Sequence, residues 1–119
     1  MADADTTYRQ NLIGNNTGNL IFSQAVYRLL STADADLETS GLAKSHPRVI
    51  NSRFDHVVIP LANAFRPTYL ETLDALSQLI EQLTVPVTVL GVGSQASLAG
   101  VYKGADAVKP ATTRFVRAV

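Results

Sequence analysis

The segment that decides the fold is residues 55–90, which read DHVVIPLANAFRPTYLETLDALSQLIEQLTVPVTVL. Its first apolar run, residues 57–61, and its last, residues 87–90, are short and rich in β-branched side chains, which is typical of strands buried on both faces. Pro60 cannot donate a ladder hydrogen bond and predicts the exit of the first strand. A helical pattern separates the two runs, and the order strand, helix, strand predicts a βαβ unit with parallel strands.

The segment between the two predicted strands has the pattern of an amphipathic helix of about four turns. Its apolar side chains recur at helical spacing along one face, namely Tyr69, Leu73, Leu76, Ile80 and Leu83. Thr68, followed three residues later by Glu71, fits a capping box at the start of the helix. The helix must end by residue 84, because Pro86 disfavours helical angles at Val85.

A further helix is predicted upstream of this unit, followed by irregular chain. Its apolar face recurs at helical spacing at Ile21, Phe22, Ala25, Val26, Leu29 and Leu30. Thr17 or Asn19 is suited to cap its start. Residues 32–53 carry several turn signals and are predicted to be irregular, with a short helix before Phe54.

The chain after the second strand is predicted to form a long loop over residues 94–110 and then a final helix. Pro110 is of the residue type favoured at the first helical position, so the helix is expected to begin there. Its predicted apolar face consists of Phe115, Val116 and Val119.

The chain has 119 residues, enough for one small domain. Two strands and three helices are a thin set for a parallel sheet, which needs helices on both faces. We therefore expect one partial α/β domain over residues 1–119, with a loose N-terminus at residues 1–11, completed by further chain or by a partner. The alternative is that Ile50 or residues 12–13 supply additional strands and the domain closes by itself.

Composition excludes several function classes. Ten basic side chains balance ten acidic ones, so no excess charge predicts binding to nucleic acid. Cysteine is absent, which excludes disulfides, thiolate metal sites and cysteine nucleophiles, and no spacing of His, Asp and Glu predicts a metal. No apolar run approaches the roughly 20 residues of a transmembrane segment, and no signal peptide is visible. A cytoplasmic location is predicted. The sequence leaves open whether the chain forms a homo-oligomer.

The first candidate ligand site is the turn-rich stretch at residues 14–19, which leads into the predicted upstream helix. Backbone N–H groups at a helix start, together with the positive end of its dipole, suit an anionic ligand or sugar hydroxyls. The candidate residues are Asn15, Asn16, Thr17, Gly18 and Asn19. The alternative is a plain turn with an N-cap.

The second candidate follows the second strand, where residues 91–96 fit the pattern G-x-G-x-x-A. This pattern occurs in dinucleotide-binding folds, but here no convincing helix follows it and no later strand carries an acidic residue for a ribose. The hypothesis that the chain is part of a nicotinamide or flavin oxidoreductase therefore rests on this pattern alone. The better interpretation is a loop that lets a ligand approach the backbone at the strand's carboxyl end, through Gly91, Gly93, Ser94 and Gln95. A turn that serves packing only is the alternative.

The third candidate is Asn63 with Arg66, just past the first strand and on the same predicted sheet edge as the second. Arginine binds a phosphate or carboxylate through two parallel hydrogen bonds. The alternative is a surface arginine near a helix N-terminus, where its charge is mildly unfavourable. His46 and His56 are expected to be structural or solvent-facing, since no nucleophile is placed to pair with them.

Three stretches together resemble the N-terminal portion of polysaccharide pyruvyl transferases: NTGNLIF at residues 16–22, FDHVVIPLANAFR at 54–66 and PVTVLGVGSQ at 86–95. The resemblance covers roughly residues 13–96. It implies a Rossmann-like parallel sheet layer that forms one half of a glycosyltransferase-B-like arrangement.

The same resemblance implies transfer of a pyruvyl group from phosphoenolpyruvate to a sugar or polysaccharide-precursor acceptor, without a further cofactor. It places acceptor binding in the N-terminal half and the residues that handle phosphoenolpyruvate mainly in the C-terminal half, so no catalytic residue is assigned. We therefore expect an N-terminal fragment of such a transferase, inactive alone. The alternative hypothesis is a non-catalytic Rossmann-like binding or interaction module.

Overall fold

The computed structural model describes residues 17–39, 45–93 and 105–119. The chain divides into two compact units, Met1–Gly41 and Leu42–Val119, and each is described by itself. The predictions for residues 1–13 and for the loop at residues 94–104 lie outside the described residues.

The described part of the first unit contains helix α1, Thr17–Leu30, which confirms the predicted upstream helix. The helix begins at Thr17 and Asn19 is its third residue, so neither residue predicted to cap the start precedes the helix. The predicted apolar face is only partly covered. Val26 is buried, whereas Ile21 is 70% exposed and Leu29 80% exposed. Periodicity shows that a helix has an apolar side but not how much of that side finds a partner.

The second unit is built on a two-stranded parallel sheet, as predicted. Strand β1 is Val57–Pro60 and strand β2 is Val87–Leu90, and the two pair residue for residue in parallel register. β1 ends at Pro60, as its missing donor predicts. The next N–H, that of Leu61, donates to the carbonyl of Leu90 at 2.8 Å and extends the pairing beyond the strand.

The crossover between the strands begins with a 3-10 turn, Pro67–Tyr69, and continues as helix α3, Leu70–Ile80. The predicted capping box was wrong, because Tyr69 occupies the N-cap position and makes no side-chain cap hydrogen bond. The physical reason is the proline that opens the 3-10 turn. Proline favours the first turn of a helix, so the helical path starts before Thr68 and leaves this residue inside the turn.

The buried face of α3 confirms the predicted helical phase. Leu73, Leu76 and Ile80 are buried, and Tyr69 and Leu83 pack against the core. They join apolar side chains of the strands and of the final helix in one cluster, whose other members include Val57, Ile59, Leu61, Ala64, Leu79 and Phe115.

One polar residue of α3 also lies inside this core. Ser77 is fully buried, and its hydroxyl donates to the carbonyl of Leu73 at 2.7 Å. That bond removes the penalty of burying an unpaired hydroxyl.

Helix α2, Pro47–Arg53, is the short helix expected before Phe54. Ile50 lies in this helix with its side chain buried, so the alternative in which it supplies a strand was wrong. The N-cap is His46, whose Nδ1 accepts a hydrogen bond from the backbone N–H of Arg48 at 3.3 Å. One of the two histidines thus has the structural role that was expected.

The final helix, α4, is Ala105–Ala118 and begins more than a turn before the predicted start. Pro110 lies inside it, where it forgoes one backbone hydrogen bond. Val108, in the turn ahead of the proline, is buried, and burial of an apolar side chain favours the longer helix.

The predicted apolar face of α4 was only partly right. Phe115 is 2% exposed and Val108 is also buried, and the two lie seven residues apart, which is two turns along one face. Val116 and Val119 are 61% and 51% exposed, so they were wrongly placed on the buried face. α4 packs against α3, and the second unit is a small mixed α/β structure. Within the described residues, no helix has both the length and the apolar character needed to span a bilayer.

Candidate functional site

The candidate site lies at the edge of the sheet where β1 and β2 both end. Because the strands are parallel, their carboxyl ends meet at one edge, which is where open α/β sheets bind ligands. Two short segments leave this edge, residues 61–66 after β1 and residues 91–93 after β2. They carry four of the predicted site residues, namely Asn63, Arg66, Gly91 and Gly93.

A backbone hydrogen bond joins the two segments. The N–H of Phe65 donates to the carbonyl of Gly93 at 3.1 Å. The first segment then turns sharply, with the N–H of Arg66 donating to the carbonyl of Ala64 at 2.9 Å. The two loops predicted to share a sheet edge therefore form one continuous surface, here called the edge loops.

Two residues of the edge loops have left-handed backbone angles. Asn63 has φ of 50° and Gly91 has φ of 71°. Asparagine and glycine tolerate this region better than other residues, which explains both residue types at these positions. The side chain of Asn63 is exposed at the edge and presents both an amide donor and an acceptor.

Gly93 lies in close contact with Asn63. A Cβ atom at this glycine would be 3.2 Å from Oδ1 of Asn63, which is tighter than an ordinary contact. The absence of a side chain at Gly93 therefore lets the Asn63 amide approach the backbone that follows β2.

Arg66 is half-buried, and its guanidinium lies over the ring of Tyr69 with Cζ 5.3 Å from the ring centroid. This stacking restricts the orientation of the cation. Burial raises the pKa of the Tyr69 hydroxyl, and the charge of Arg66 partly opposes that rise. Tyr69 is therefore neutral at physiological pH and keeps a hydroxyl donor beside the arginine.

The remaining predicted residues fall into two groups. Thr17, Gly18 and Asn19 lie in α1 of the first unit. The others, Asn15, Asn16, Ser94 and Gln95, lie outside the described residues.

Each of the two histidines contacts a residue outside the edge loops. The Nε2 atom of His56 is 2.8 Å from Oγ1 of Thr88, in an exposed cross-strand pair, and His46 caps α2. In the described part of the chain, no group of three or more His, Asp and Glu side chains is placed to hold a metal ion.

Sequence reasoning missed a charged contact on the outer surface of α3 and α4. Arg114 makes two hydrogen bonds to Glu81, with Nε to Oε1 and Nη2 to Oε2 both 2.9 Å, and a third to Asp74 at 3.0 Å. The contact with Arg114 lowers the pKa of Glu81, chiefly through the hydrogen bond, and raises the pKa of the arginine. We call Arg114, Asp74 and Glu81 the clasp.

The clasp borders two open surface depressions between α3 and α4, of about 530 and 390 Å³. Neither depression is lined by Asn63, Arg66, Gly91 or Gly93. The only sequence signal for the clasp was the two-turn spacing of Asp74, in α3, and Glu81, at the C-cap of α3. That spacing placed both on one face but gave no partner.

Comparisons with known proteins add no relative of this chain. No family model matches it, no curated protein matches it and no solved structure matches it. The resemblance noted from the sequence motifs therefore stays a hypothesis.

Proposed function

We propose that this chain is the N-terminal portion of a polysaccharide pyruvyl transferase and that its edge loops bind the sugar acceptor. In the reaction that the resemblance implies, a pyruvyl group passes from phosphoenolpyruvate to a sugar during polysaccharide biosynthesis. The second unit would be part of a Rossmann-like half in a glycosyltransferase-B-like arrangement. A cytoplasmic location belongs to the same proposal and fits the cysteine-free sequence.

The observation that carries this proposal is the joined pair of loops at the carboxyl ends of two parallel strands. The Phe65 to Gly93 hydrogen bond places Asn63 beside the backbone that leaves β2, and Arg66 follows on the same segment. A binding crevice in an open α/β sheet is formed in this way. The residue types also fit a sugar, because an exposed amide can both donate to and accept from hydroxyl groups.

The chemistry of the edge loops favours binding rather than catalysis. Residues 61–66 and 91–93 contain no carboxylate, imidazole or hydroxyl side chain. Their amide, guanidinium and backbone groups suit binding of hydroxyl groups and anions. The resemblance assigns the handling of phosphoenolpyruvate mainly to the C-terminal half of the enzyme.

The proposal is tested by titrating the ¹⁵N-labelled chain with methyl glycosides of glucose, galactose and mannose, and with glucuronate. We expect amide shift changes centred on Asn63, Phe65 and Gly93 for at least one sugar. Glucuronate binding should weaken at least about tenfold in Arg66→Ala, because a charge-assisted hydrogen bond contributes about 1.5–3 kcal/mol.

The matched control is Arg48→Ala, which removes an exposed arginine from α2 without touching the edge loops. It should leave sugar binding unchanged. If none of the sugars shifts the three amides, acceptor binding at this edge is wrong and the non-catalytic module becomes the better hypothesis. Equal weakening by Arg48→Ala and Arg66→Ala would mean that glucuronate responds to net charge and not to this site.

A further inference from the structure

Arg114 and Phe115 are consecutive residues of α4 that contact opposite surroundings. Arg114 joins the clasp on the outer surface, held by three hydrogen bonds to the carboxylates of Asp74 in α3 and of Glu81 at its C-cap. Phe115 is 2% exposed and belongs to the core cluster. Two adjacent residues of α4 therefore connect a charged contact on the surface to the hydrophobic core.

Phe115 reaches the edge loops through one aromatic contact. Its ring meets the ring of Phe65 edge-on, with centroids 6.4 Å apart and planes inclined by 72°. This arrangement is favourable for aromatic pairs and fixes the relative orientation of the rings. The N–H of Phe65 also donates to the carbonyl of Gly93, so this one residue makes the backbone contact that joins the two edge loops and the ring contact that joins them to α4.

We propose that Arg114 is a positioning residue for the edge loops and acts on them through Phe115 and Phe65. The clasp sets the rotation and axial position of α4 on α3, and these determine where the Phe115 ring meets Phe65. When the clasp opens, α4 rotates or slides, the aromatic contact loosens and the Phe65 to Gly93 bond weakens. Side chains in a protein core transmit such a shift because the core is densely packed and allows few alternative arrangements.

The proposal rests on the proposed function only in treating the edge loops as a ligand site. It gives that site a control point on a surface that ions and charged partners can reach. Salt and competing anions should act on the clasp because its carboxylates are about half exposed, 52% for Asp74 and 45% for Glu81.

Amide hydrogen exchange tests the proposal without any ligand, so its result is independent of the sugar titration. The reporter is the N–H of Phe65, bonded to Gly93, and the reference is the N–H of Leu61, bonded to Leu90 at 2.8 Å. In Arg114→Gln we expect exchange at Phe65 to accelerate at least about threefold more than at Leu61, because local openings affect amides unequally. The control is Arg117→Gln on the same helix, which should leave the ratio unchanged.

Two further variants separate the relay from a general loss of stability. Removing both carboxylate charges of the clasp, with Asp74→Asn and Glu81→Gln together, should change the ratio of exchange at Phe65 to exchange at Leu61 in the same direction as Arg114→Gln. Phe115→Leu should also raise exchange at Phe65 relative to Leu61, because it removes the edge-on ring contact. If both amides accelerate by the same factor in these variants, or if Phe65 does not respond, the positioning role of Arg114 is wrong.

Discussion

The side chain of Asn51 in α2 accepts a hydrogen bond from the backbone N–H of Thr84, 33 residues further along the chain, at 2.9 Å. The same amide donates to the carbonyl of Gln82 at 3.0 Å. It therefore satisfies one donor and one acceptor in the turn that ends α3 and leads into β2. Side-chain bonds of this kind satisfy backbone groups in a turn, which have no partner in a helix or a sheet.

Replacing Asn51 by alanine should lower the free energy of unfolding by about 1–2 kcal/mol, since each of the two hydrogen bonds contributes about 1 kcal/mol net. Urea unfolding followed by circular dichroism measures the change. Ser52→Ala is the control on the same helix, because its hydroxyl bonds only locally to the carbonyl of Val49. A loss as large in Ser52→Ala as in Asn51→Ala would show that the effect comes from α2 itself and not from the bridge to the turn.

Leu73 of α3 is fully buried, and its truncation should be among the most damaging changes in the second unit. Leu73→Ala should cost about 2–5 kcal/mol, the sum of lost apolar burial and the cavity left behind. The urea midpoint should fall accordingly, or the variant should be unfolded in water. Thr72→Ala, one residue away on the exposed side, should stay within about 0.5 kcal/mol of the parent. A small effect at Leu73 would contradict the placement of the core.

The βαβ core could be predicted from the sequence because its signals are local. The apolar runs of β1 and β2 have strand length, and the apolar spacing of α3 has one clear phase. The start of α3 was misjudged because two start signals compete, and Pro67 outweighs Thr68. The phase of α4 was misjudged for a different reason. Phe115, Val116 and Val119 are all apolar, and only the three-dimensional position of the helix decides which one is buried.

The candidate site was predictable to the same extent. Parallel strands place their carboxyl ends together, so the proximity of Asn63 to Gly93 followed from topology, and the left-handed angle of Asn63 suits its residue type. The contacts that tie the edge to the rest of the unit did not follow. Arg114 bonds to residues 33 and 40 positions earlier, and Phe115 meets Phe65, and no local pattern encodes either pairing.

The two glycines of the edge loops should respond differently to alanine. Gly91 has φ of 71°, where a Cβ is strained, so Gly91→Ala should cost about 1–2 kcal/mol in unfolding free energy. Gly93→Ala instead brings a Cβ to 3.2 Å from the Asn63 amide, the end of an exposed side chain that can shift by a few tenths of an ångström. It should change the shifts of Asn63 with a smaller effect on stability.

Urea unfolding and amide shift mapping of both alanine variants check this contrast, each against the parent chain. The stability loss should be larger for Gly91→Ala, and the shift changes at the Asn63 side-chain amide larger for Gly93→Ala. The reverse order of stability losses would mean that contact with Asn63, and not backbone strain, governs this loop.

The dependence of the free energy of unfolding on pH under acidic conditions should depend on the clasp. Arg114 holds the pKa of Glu81 below its ordinary value of 4.5, so the folded state binds a proton at Glu81 less readily than the unfolded chain does. The stabilisation is therefore complete above that ordinary pKa and is lost as pH falls through the lowered one. In Arg114→Gln this contribution disappears, so unfolding free energy should vary less steeply with pH below about 4.5, whereas Arg117→Gln should keep the slope of the parent chain. Urea midpoints collected from neutral pH to pH 3 measure both slopes, and identical acid limbs in the parent chain and Arg114→Gln would show that the Glu81 to Arg114 contact does not persist in solution.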